Sequence, residues 1–75
     1  MEINEFVAHF AEQFDDTDVS VFKPETKFRE LDEWSSLMAL NIIAMIDEEY
    51  DIAIKGEEMR SASTIEELFN IVNNK

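Results

Sequence analysis

The chain has 75 residues, 18 of them acidic and six basic, for a formal net charge of −12. It has no cysteine, one histidine, one glycine and one proline. That excludes disulfides, thiolate metal sites, a cysteine nucleophile, histidine-cluster metal sites and any Gly-rich phosphate loop. No stretch is net basic, so nucleic acid and anionic membrane surfaces are poor partners, and a basic protein surface is the expected one. The hydrophobic fraction of 45% is too high for a disordered acidic tail. No apolar run approaches the ~20 residues of a membrane span. The acidic start MEINEF does not read as a secretory or mitochondrial leader. One small, monomeric, cytoplasmic domain over residues 1–75 is expected.

Taken in chain order, the apolar pattern predicts four helices. Ile3, Phe6, Val7, Phe10 and Phe14 recur at i, i+3, i+4, i+7 and i+11, one stripe of a first helix over about residues 3–15. Glu2 and Glu5 lie at its start, where the helix dipole favours acids, and Asp15-Asp16-Thr17-Asp18 closes it. Residues 17–34 form a long connection. Pro24 argues against a continuous helix there, and Val19, Val21, Phe22, Phe28 and Leu31 should pin the loop over the helices. A second helix runs from about Ser36 to Tyr50 and is apolar on almost every face. So small a protein cannot cover it all round, so part of it should be a contact surface. Gly56 precedes a short third helix around Glu57–Arg60. The fourth starts near Thr64, with Thr64 and Glu67 as a reciprocal capping box and Ile65, Leu68, Phe69 and Val72 as its buried stripe. The fold class is all-α: a small four-helix bundle with a long first loop and a short third helix.

The acidic clusters do not make a metal site. An EF-hand loop begun at Asp16 would put Val21 at its glycine position and Lys27 at its closing glutamate, and one begun at Asp47 would put Ile52 at the glycine. Acid–base catalysis needs a cleft that desolvates a carboxylate, and a small bundle has little room for one. His9, beside Phe6 and Phe10, reads as a half-buried structural histidine. It would be the only base for a hydrolytic triad, so no catalytic residue is assigned. On residue chemistry alone Ser35-Ser36 is a helix N-cap. An unmodified acidic helical adaptor for a basic surface satisfies everything said so far.

Glu33-Trp34-Ser35-Ser36-Leu37 resembles the W-D-S-L variant of the D-S-L motif of acyl carrier proteins. The likeness extends over nearly the whole chain. It includes Phe28 and Leu31 before the motif, the acidic Asp47-Glu48-Glu49-Tyr50 followed by Ile52 and Ile54, and the Thr64–Leu68 opening of the last helix. The resemblance implies a carrier, not an enzyme. It would hold acyl or aminoacyl groups as thioesters on a 4'-phosphopantetheine arm covalently attached to Ser36, which precedes Leu37 as the motif serine does. Ser35 stands where the family has aspartate. It can still cap the helix and is the second choice for attachment, but any contribution of the missing carboxylate to transferase recognition is lost.

The partners implied are a phosphopantetheinyl transferase and acyl-activating, synthase or acyltransferase enzymes with basic docking surfaces. Docking is expected along the second helix, through Leu37, Met38, Asn41, Met45, Asp47 and Glu48, with Glu49 alongside. Met38 and Asn41 occupy positions after the serine that often hold acids in the family. This points to a specialised lipid or secondary-metabolite pathway rather than the general fatty-acid synthase.

Overall fold

The computed structural model describes residues 2–75, leaving only Met1 of the expected domain outside. It contains four α-helices: α1 Ile3–Ala11, α2 Ser36–Tyr50, α3 Gly56–Ser61 and α4 Ile65–Asn73. No strand occurs among the described residues. α1 packs against α2 and α4, and α3 packs against α2.

α1 is shorter than its apolar stripe suggests. After Ala11 the chain tightens, with the Gln13 N–H donating to the Phe10 carbonyl and the Phe14 N–H to that of Ala11. The next donors leave the helix altogether. The Asp15 and Asp16 N–H groups and the Thr17 hydroxyl all bond to the Glu33 carboxylate, at 3.0, 3.1 and 2.6 Å. Phe14 stays buried without being helical, so periodicity alone overran the boundary.

The long connection contains two 3₁₀ turns, Val19–Val21 and Phe28–Glu30. The Asp18 carboxylate accepts from the Ser20 N–H, and the Thr26 hydroxyl donates to the Val21 carbonyl while accepting from the Lys23 N–H. Phe22 and Phe28 are buried and Leu31 partly so, as expected of a pinned loop. Val19 and Val21 are not: both are exposed, on a turn that projects away from the core. Beneath the loop lies an aromatic cluster. Phe10 and Phe28 have ring centroids 5.4 Å apart, Phe14 and Phe22 4.9 Å, and Phe28 and Trp34 4.9 Å. Each such pair adds about 0.5–1.5 kcal/mol beyond its area burial.

α2 is capped by Ser35, whose hydroxyl accepts from the Met38 N–H at 3.2 Å. It stops at Asp51, which takes a left-handed conformation with φ 57° and donates its N–H to Asp47. Met38, Ile42, Met45 and Ile46 form its buried stripe. This corrects the expectation that Met38 and Met45 face partners. They are 8% and 5% exposed, because they share the helix face of Ile42 and Ile46.

The start of α4 modifies the expected capping box. Thr64 Oγ1 accepts from the Glu67 N–H, but the Glu67 carboxylate bonds to the Ser63 N–H rather than to that of Thr64. The remaining early donors go to the loop: Ile65 N–H to the Thr26 carbonyl and Glu66 N–H to that of Pro24.

Few contacts offset the charge of −12. Among the described residues the ion pairs are Lys75 with Glu58 at 2.6 Å and, when the imidazole is protonated, His9 with Glu49 at 3.8 Å. The domain therefore repels itself, and salt that shortens the Debye length to ~10 Å at 0.1 M relieves this. The melting temperature is expected to rise from low salt to moderate sodium chloride. A fall would show that net repulsion is not what limits stability.

Candidate functional site

Ser36 is the first residue of α2 and is exposed. The segment leading to it is fixed from two sides. Trp34 stacks on Phe10, with centroids 6.4 Å apart and planes 3° from parallel, and packs against Phe28. Glu33 binds the end of the α1 connection through the three hydrogen bonds described above. The Ser35 hydroxyl and carbonyl take the N–H groups of Met38 and Ala39. Among the described residues the N–H groups of Ser36 and Leu37 find no acceptor and remain free at the helix start.

The Thr17 hydroxyl, then the Asp15 and Asp16 N–H groups, hold the Glu33 carboxyl below its ordinary value. A depressed folded-state value stabilises the fold above the unfolded value and is lost as pH falls through the folded one. The stability difference between wild type and Glu33→Gln should therefore be largest near neutral pH and shrink below the usual carboxylate range. Urea melts of both proteins across that range measure it, and a constant difference would contradict the linkage.

A groove of about 450 Å³ opens beside Ser36, between α2 and α3. Its apolar surface comes from Trp34, Ala39, Ile43 and Met59, and Leu40 lines it as well. Arg29 and Arg60, the only arginines of the chain, also line it. No carboxylate lines the groove, so it is not a cleft that could desolvate an acid for acid–base catalysis. α3 is too short to cover the flank of α2, and the uncovered strip becomes the groove.

The exposed face of α2 carries Leu37, Leu40, Asn41, Ala44, Asp47 and Glu48, which share one side at helical spacing. Leu37 is 67% and Leu40 62% exposed. Four residues expected to meet partners, Leu37, Asn41, Asp47 and Glu48, thus lie on this face, whereas Met38 and Met45 lie beneath it. Leu40 escaped the sequence reading although its i+3 spacing from Leu37 was visible. Arg29 and Arg60 also escaped it, because they come from elements brought together only by the fold.

At the far end of α2, His9 Nδ1 lies 2.7 Å from the Tyr50 hydroxyl, joining α1 to α2. Burial, then the Glu5 and Glu49 carboxylates, pushes the Tyr50 phenol above its ordinary value. His9 is half-buried here, in the structural setting expected of it. Among the described residues no three histidine, aspartate or glutamate side chains converge as metal ligands.

The family model described as the phosphopantetheine attachment site matches residues 4–72. The chain belongs to this phosphopantetheine-binding family. No significant match was found among the curated proteins or the solved structures. Members are non-catalytic carriers bearing covalent 4'-phosphopantetheine, and the all-helical fold agrees with that membership. No helix of this carrier is long and apolar enough to cross a membrane among the described residues. The surroundings of Ser36 suit a phosphodiester: an exposed hydroxyl, two free N–H groups at the positive end of α2, and two arginines along the adjoining groove.

Proposed function

We propose that Ser36 bears the 4'-phosphopantetheine and that the domain presents acyl or aminoacyl groups, in a specialised lipid or secondary-metabolite pathway. The observation that carries this reading is the exposed Ser36 hydroxyl at the first position of α2, beside free N–H groups and followed by an exposed Leu37. When bound, the arm supplies a terminal thiol, absent from the cysteine-free chain, on which cargo is held as a thioester. The chain's own residues do the rest. Trp34 and Glu33 fix the attachment point, and the exposed face of α2 positions the domain on an enzyme. Tethering then gives the cargo a high effective concentration at the partner's site.

The acids at the end of α2 support docking there. Asp47 and Glu48 lie near the negative end of the helix dipole, and no basic residue occupies the last turn of α2. The fold gains nothing from this placement, whereas a basic enzyme surface would. We further propose that the carrier acts as a cytoplasmic monomer, since like charges on each copy oppose self-association.

The test is incubation with coenzyme A and a phosphopantetheinyl transferase, followed by mass spectrometry of the intact protein. One phosphopantetheine per chain is expected. No mass gain would leave the unmodified adaptor as the better reading.

A further inference from the structure

The groove beside Ser36 holds an unusual concentration of positive charge for this chain. Six basic residues are set against 18 acidic ones, yet both arginines border this one groove. Among the described residues neither guanidinium is paired with a carboxylate. Their positions are nonetheless fixed. Arg29 Nη1 donates to the Arg60 carbonyl at 2.6 Å, and its guanidinium carbon lies 5.7 Å from the centre of the Phe28 ring. The Arg60 side chain folds back over the start of α3, where a Cβ on Gly56 would crowd its Nη1 at 3.3 Å. Both charges therefore border one apolar trough, whose 450 Å³ falls within the ~300–1,000 Å³ typical of small-ligand sites.

We infer that Arg29 and Arg60 clamp the phosphodiester of the arm on Ser36, so that the neutral remainder of the resting arm lies along the Trp34–Ile43–Met59 side of the groove. The inference rests on attachment at Ser36. Guanidinium groups are suited to phosphate oxygens, offering a planar fork of donors. The arm is linked to a residue that itself lines the groove, so reaching the arginines costs little ordering entropy. A clamp of this kind holds the arm on the domain until a partner takes it. Arg29 and Arg60 would be positioning residues for the cofactor.

Trp34, the only tryptophan, reports on the groove it lines. The full chain is loaded to completion without cargo, so the phosphodiester is the arm's only anion. Peptide mass mapping then locates the arm, and acrylamide quenching of Trp34 is compared between apo and loaded forms. Loading should lower the quenching constant of the wild type. Arg60→Gln should reverse that protection, since the Arg60 guanidinium makes no hydrogen bond whose loss would disturb the fold. As a check without mutation, 1 M sodium chloride, with a Debye length of ~3 Å, should reduce the protection in the wild type. An arm mapped to another residue overturns attachment and clamp together. An arm on Ser36 with unchanged quenching overturns the clamp alone. Protection that survives both Arg60→Gln and high salt would also overturn the arginine clamp.

Discussion

Ser36→Ala is expected to abolish the mass gain from coenzyme A and a phosphopantetheinyl transferase while leaving the helical circular dichroism intact. The Ser36 side chain makes no hydrogen bond among the described residues, so its removal costs the fold little. Ser35→Ala should do the reverse. Its hydroxyl caps α2 through the Met38 N–H, and losing such a cap costs about 1 kcal/mol. The Ser35→Ala protein should still load. The pair separates attachment from capping, two roles that adjacent serines could otherwise exchange. Full loading of Ser36→Ala would overturn the assignment, and loss of loading only in Ser35→Ala would move it one residue back.

Met38→Glu is expected to collapse the domain. Met38 is 8% exposed and shares the core face with Ile42 and Ile46, which are fully buried. An unpaired carboxylate there costs several kcal/mol, against a total stability of about 4–11 kcal/mol for a chain of this length. Leu40→Glu, on the opposite face at 62% exposure, should keep its helical spectrum and lose transfer to and from partner enzymes at every salt concentration. Glu48→Lys should slow transfer most at low salt, because rim charges act chiefly on association rate. Circular dichroism and transfer rates of the three variants check this. A folded Met38→Glu protein would mean that α2 can roll its buried stripe outward. A fully active Leu40→Glu protein would move docking away from this face.

These variants also mark where the sequence stopped being informative. The bounds of α2 could be read directly, since Ser35 is a good cap and a polar Asp51 follows the apolar run. Its facing could not, because apolar residues surround the helix and its amphipathicity is weak. Leu37 and Met38 look equivalent as letters, yet one is 67% exposed and the other is core. Only the positions of α1 and α3 decide which of them is covered. The place of Ser36 at the start of α2 was legible because the Ser35 cap and the apolar run meet there. The groove was not: Arg29 comes from a 3₁₀ turn and Arg60 from α3, and no local pattern links them. α1 was overextended because Phe14 kept the helical spacing while Glu33, far along the chain, took the backbone donors that would have continued it.

The hydrogen bonds from Ile65 and Glu66 to the carbonyls of Thr26 and Pro24 have a consequence for biosynthesis. The first turn of α4 is finished by a loop made early, and α4 also brings the buried Ile65, Leu68 and Val72. A nascent chain that still holds α4 inside the ribosome lacks both that closure and that part of the core. The start of α2 then has no settled domain behind it to present Ser36. Folding must therefore wait until α4 has left the ribosome, because only then can the Pro24 and Thr26 carbonyls and the rest of the core find their partners.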